Sequence, residues 1–237
     1  SGDIEISSNV ADGTTNVNVG GVCGKSGMLT AGCHAEWTES AHVKIASDRS
    51  NFGGVTGLTQ AESNYAFLVG CYALCNGRVE IEPKNGTDYT ANAGGIAGTL
   101  ANSTIAGCTV KAKNIYGHNA SSPSLIGVSG IAAYVVGVSS VSDCKAYATL
   151  IRNSTVLGTE DASVTPDNLF GMGMIVGIDA GTTTVTNCGV GGSFYLGASE
   201  KPQELILTLD ADSYAKGIIG SGKTATVGGC YYWNGAE

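Results

Sequence analysis

Gly53-Gly-Val-Thr-Gly57, closed by Gly70-Cys71, is the stretch that decides the fold, because the chain carries six versions of it. The other glycine-bracketed segments are Gly20-Gly-Val-Cys-Gly24, Gly94-Gly-Ile-Ala-Gly98, Ser129-Gly-Ile-Ala-Ala133, Gly173-Met-Ile-Val-Gly177 and Lys216-Gly-Ile-Ile-Gly220. Each leads, over about ten to fourteen residues, to a cysteine: Cys33, Cys71, Cys108, Cys144, Cys188 and Cys230. The steps between these cysteines are 38, 37, 36, 44 and 42 residues, a period that marks a repeat architecture.

Working outward from the motif, residue classes at fixed phase show what each position requires. The middle of the glycine strand is Val22, Val55, Ile96, Ile131, Ile175 and Ile218, a stiff β-branched side chain suited to an inward stack. Three residues before each cysteine stand Thr30, Leu68, Ile105, Val141, Val185 and Val227, and two after it Ala35, Ala73, Val110, Ala146, Val190 and Tyr232. Immediately before the cysteine come Gly32, Gly70, Gly107, Asp143, Asn187 and Gly229, the residue types that tolerate positive φ. A left-handed corner there reconciles two inward residues three apart, which a straight strand would point to opposite faces.

A further alternating stretch precedes most glycine strands: Ile4-Glu-Ile6, Val43-Lys-Ile45, Val79-Glu-Ile81 and Leu205-Ile-Leu-Thr-Leu209. Before Ser129 and Gly173 it is irregular, with Ser121-Ser-Pro-Ser124 and Pro166-Asp-Asn168. Three short strands per coil is the plan of an all-β, right-handed parallel β-helix of about six coils. It makes one domain over 1–237, with an N-terminal coil at 1–19 and repeats from about 20, 53, 94, 129, 173 and 216. A propeller of similar period would need four antiparallel strands and hairpins in each blade.

The Gly-Gly-Val/Ile-x-Gly strand and its Gly/Asn-Cys corner, as in Thr186-Asn-Cys188 and Gly229-Cys-Tyr-Tyr-Trp-Asn234, resemble the GLUG-motif repeat of large exported bacterial proteins. The resemblance runs from Gly20 to the end of the chain and departs from the pattern at Ser129 and Ala133. It implies an extracellular or cell-surface location and an adhesin-like scaffold. It brings no catalytic residues with it.

Composition narrows the partners. Glycine is the commonest residue at 36 copies, and only 14 per cent of the chain is charged, which favours strands and turns over helices. Twelve basic residues against twenty acidic ones, with no Lys/Arg cluster, argue against nucleic acid. The longest apolar runs, such as Ile131 to Val138, fall short of a membrane span, so direct membrane insertion is not expected.

Candidate sites are few. Six of the eight cysteines share one inward phase and read as a stack of buried thiols rather than disulfides or zinc ligands. Cys23 and Cys75 lie outside that stack and leave a bridge between them open. No metal or cofactor is implied, and His34, His42 and His118 are too scattered for a relay. Glu80 and Glu82, outward on one strand near Arg78, are the candidates for catalysis. Glu160 with Asp161, and Asp210 with Asp212, are weaker acidic pairs. With Lys44, Glu80 and Glu82 read equally as a solvated charge ladder between coils. Rings suited to stacking on sugar are Trp37, Tyr72, Tyr116, Tyr147 and Tyr195, while Tyr231, Tyr232 and Trp233 read as a cap on the last coil.

The expected function is therefore a non-catalytic exported protein that binds a glycan or a host surface protein. A polysaccharide lyase or glycoside hydrolase on the same scaffold is one alternative, and a stalk without ligand is another.

Overall fold

The computed structural model describes residues 4–7, 16–47, 49–61, 65–82, 90–119, 125–154, 171–197, 203–205, 217–222 and 225–236. Ser121–Ser124, Pro166–Asn168, residues 206–209 and the pairs Glu160–Asp161 and Asp210–Asp212 lie outside them. The described chain is all-β. Its strands stack in four sheets whose neighbours come from successive repeats, and every pairing but one is parallel. That rules out the antiparallel blades of a propeller and gives a solenoid-like stack.

In chain order, each pass visits the sheets in turn. Sheet I holds Val17–Gly20, Ser50–Gly53, Thr90–Gly94, Leu125–Ser129 and Met172–Gly173. Sheet II holds Cys23–Ser26, Thr56–Gln60, Ala97–Ala101, Ala132–Val136, Val176–Asp179 and Ile219–Gly222. Sheet III holds Leu29–Ala31, Ala66–Val69, Ser103–Ala106, Val138–Ser142, Thr182–Thr186 and Thr226–Gly228. Sheet IV is the widest. It runs from Ile4–Ser7 through His34–Trp37 and His42–Ala46 to Tyr72–Glu82, Thr109–Asn119, Lys145–Ser154, Gly189–Gly197 and Tyr231–Tyr232, with Gln203–Leu205 antiparallel beside Gly189–Gly197.

The three strands expected per coil are thus four, because the glycine segment and the cysteine segment each divide in two while the second half of the latter joins the alternating stretch. The glycine segment is two strands, since the chain bends at Gly54-Val55 between sheets I and II. A Cβ on Gly53 would lie 1.9 Å from the Thr56 carbonyl oxygen, so only glycine permits that bend. Sheets I and II then pack closely enough that a Cβ on Gly98 would meet the Phe52 backbone at 2.7–2.8 Å. Conversely, the stretch after the cysteine and the next alternating stretch are one strand. Ala73, Cys75, Val79 and Ile81 alternate inward along Tyr72–Glu82 with no break in parity.

The columns read from the sequence run in register. Thr30, Leu68, Ile105, Val141, Val185 and Val227 are direct partners on successive strands of sheet III. Ala35, Ala73, Val110, Ala146, Val190 and Tyr232 are partners on sheet IV. Val55, Ile96, Ile131, Ile175 and Ile218 are fully buried. At the first and last of the described passes the columns are open, Val22 being 44% exposed and Tyr232 64%. All six corner residues adopt positive φ, from 54° at Asp143 to 65° at Gly229.

Candidate functional site

The outer face of sheet IV gathers most of the site residues named from the sequence. One column on that face is Lys44, Glu80, Tyr116, Ile151 and Tyr195, each the register partner of the next. A second is His34, Tyr72, Thr109, Lys145, Gly189 and Tyr231. A third is Glu36, Leu74, Lys111, Tyr147 and Gly191. Tyr116 and Tyr195 therefore share a column two strand steps apart, while Tyr72 and Tyr147 stand in the second and third columns, which adjoin each other and lie farther along the strand from the first.

The first column is laced with charge. Glu80 Oε2 accepts from Arg78 at 3.1 Å and lies 3.3 Å from His42 Nε2, while Lys44 reaches Glu82 at 3.5 Å. The Arg78 guanidinium sits 4.3 Å above the Tyr116 ring, so one arginine ties an acid to an aromatic on the next strand. Lys113 and Glu39 form another ion pair, which lowers the Glu39 carboxyl below its usual range. Each of the catalytic candidates Arg78, Glu80 and Glu82 is thus part of a charge ladder crossing adjacent strands.

Trp37 departs from the expected set. It pairs with the buried Cys75, packs its ring 5.8 Å from that of Phe52, and belongs to the core side of its strand. The alternation explains it: Ala35 points inward, so Trp37, two residues on, does too. Tyr72 does face out, with its ring edge-on to His34 at 4.9 Å.

The cysteine phase runs along the corner between sheets III and IV. Cys71, Cys108, Cys144, Cys188 and Cys230 are buried, Cys33 is half-buried, and all eight thiols are free. Each buried thiol donates to the carbonyl two residues before it, for example Cys144 to Ser142 at 3.1 Å. Cys71 to Cys188 also reach the carbonyl of the inward residue on the previous pass, as in Cys108 to Leu68 at 3.6 Å. The Cys71 N–H in turn donates to the Cys108 sulfur at 3.3 Å. The carbonyl two residues before each of these cysteines also accepts the corner N–H of the previous pass, as Ala106 does from Gly70 at 2.9 Å, so each thiol adds a second donor to it. Cys23 and Cys75 lie in different sheets and are not bridged. Burial pushes the Cys75 thiol up to about 12. Among the described residues no group of three or more His, Cys, Asp or Glu side chains could hold a metal ion.

One cluster was not named as a site. Trp233 follows the last strand of sheet IV and is 8% exposed, with Tyr147 edge-on at 6.4 Å and Lys111 and Lys145 reaching its ring. The signal was in the sequence: three residues past Cys108, Cys144 and Cys230 stand Lys111, Tyr147 and Trp233, with Gly191 at that phase after Cys188. The chain matches no protein-family model, and no curated protein or solved structure matches it either.

Proposed function

We propose that this chain is an exported, non-catalytic, right-handed parallel β-helix of about six coils, akin to GLUG-motif repeats, that binds an extended glycan at the bacterial cell surface. The six sequence repeats support the coil count, and the strong preference of parallel crossovers for one hand supports the handedness. The binding reading rests chiefly on the outer face of sheet IV, where Tyr72, Tyr116, Tyr147 and Tyr195 stand in registered columns among cations. Within one column Tyr116 and Tyr195 stand two strand steps apart, roughly 10 Å at the usual strand spacing, which suits successive units of an extended polymer. A net charge of −8 and the lack of a basic stripe leave nucleic acid out of this reading.

A docked host protein is the second reading, favoured by a different patch. Leu29 and Phe67 are register partners on the outer face of sheet III, 65% and 42% exposed, with Met28 beside them at 80%. Contiguous exposed apolar groups of this kind suit protein contact.

The test is incubation with neutral and acidic polysaccharides, with and without calcium, read for retention and for product release. Retention without release, weakened in Tyr116→Ala but unchanged in Trp37→Phe, is the expected result. Release of new reducing ends or unsaturated uronates would make the chain an enzyme and send attention to Glu80, Glu82 and Arg78. No retention on any glycan would leave the stalk or the protein-binding patch.

A further inference from the structure

The Trp233 cluster has an electrostatic feature that the rest of the face lacks. Lys145 Nζ lies 5.6 Å and Lys111 Nζ 5.9 Å from the centre of one indole ring. Lys44, Lys113 and Arg78 each have a carboxylate partner, whereas among the described residues Lys111 and Lys145 have none. Two ammonium groups drawn to the same ring repel each other, and the π face offsets only part of that repulsion. An anion placed beside both would relieve it.

The surroundings shape that place for a sugar rather than a bare ion. Tyr147, 39% exposed, stands edge-on to Trp233, and its ring lies over Gly191 and Gly235, where a Cβ would come 2.9 Å from it. Trp233 is itself held by its indole N–H, which donates to the Ala236 carbonyl at 2.6 Å. Tyr231, 43% exposed, covers Gly189 in the adjacent column beyond Lys145. Two part-exposed rings, Tyr147 and Tyr231, thus stand beside the unpaired cations, in a molecule of net charge −8 that offers anions little elsewhere.

We infer that Lys111 and Lys145, gathered on Trp233 beside Tyr147, form a subsite for an acidic sugar unit, a uronate carboxylate or a sulfate ester, within an extended glycan. This rests on the glycan-binding reading above and names the class of glycan. The lysines engage the acid group, and the Tyr147 face carries the sugar ring. Neutral units of the polymer would lie toward Tyr72 and Tyr116.

Retention is measured on polygalacturonate, on the same polymer with its carboxyl groups reduced, on dextran sulfate and on neutral dextran. Wild type is compared with Lys111→Gln/Lys145→Gln and Lys111→Arg/Lys145→Arg, and thermal melts check that the variants fold. The expected result is retention on an acidic polymer that falls roughly tenfold or more in the glutamine variant and with rising salt, but survives in the arginine variant. Polygalacturonate against dextran sulfate tells carboxylate from sulfate. Retention on neutral or reduced polymer alone, or acidic retention indifferent to the glutamine variant, overturns the subsite and leaves glycan binding standing. Retention on none of the four overturns both.

Discussion

The side-chain amide of Asn92 donates to Asn51 Oδ1 at 3.0 Å, and Asn51 donates in turn to Asn18 at 2.8 Å, a carboxamide ladder along sheet I. Thr99 of sheet II joins it by donating to Asn51 Oδ1 at 2.6 Å, so Asn51 pins the two sheets together. The ladder stops at Gly127, the next register partner, because a Cβ there would lie 2.4 Å from the Ala133 carbonyl. Asn92 Oδ1 is left buried without a partner.

The two asparagines should therefore differ in weight. Asn51→Ala strips an acceptor from two buried donors and should cost about 2–4 kcal/mol, whereas Asn92→Ala removes an unpaired oxygen and a donor to Asn51 that Thr99 still supplies, and should cost about 1 kcal/mol. Urea unfolding of both variants checks this. Equal losses would mean that the ladder, and not Asn51, is the unit.

A second prediction isolates the corners. Gly70 has φ 60°, and nothing lies within 4 Å of where a Cβ would stand, so Gly70→Ala changes backbone strain alone. It should lower stability by about 1–2 kcal/mol. Gly70→Asn should cost less, because Asp143 and Asn187 already hold the equivalent corner at 54° and 55°. If alanine and asparagine cost the same, the left-handed preference of asparagine contributes nothing here.

These corners were legible because residues that tolerate positive φ recur at one phase, and the inward columns through Leu68 and Ala73 because mostly apolar residues do. The glycine bend at Gly54-Val55 was not, since two short strands joined by a tight turn read in sequence like one apolar strand. The site was less legible than the fold. Trp37 stands among the sugar-stacking rings when the sequence alone is read, although its parity with Ala35 places it inward. Lys111, Tyr147 and Trp233 went unassembled because each belongs to a different repeat, and only the register of sheet IV brings them together.

The Cys75 thiol carries a pH prediction. Its folded value is raised from 9.0 to about 12 by burial, so below pH 9 the thiol is neutral in both states and its contribution is whole. Between pH 9 and 12 the unfolded chain loses that proton while the folded chain keeps it. Stability then falls by about 1.4 kcal/mol per pH unit for this group. Cys75→Ala should lower stability at neutral pH yet flatten its decline above pH 9. Parallel slopes in urea titrations of the two proteins would show Cys75 ionising freely in the fold.

The ion pairs of the outer face make the last prediction, and it bears on catalysis. Arg78 is 49% exposed at its side chain and Glu80 13%, with His42 sharing the same carboxylate oxygen. With Arg78 half exposed to solvent and His42 sharing the carboxylate oxygen, a double-mutant cycle over Arg78→Gln and Glu80→Gln should give a coupling of only about 1 kcal/mol. Arg78→Gln also removes the cation above Tyr116, so retention on a neutral glycan should change little, the ring remaining in place. A large coupling together with lost retention would mean that Arg78 and Glu80 themselves hold the ligand, and the lyase or hydrolase reading would regain its ground.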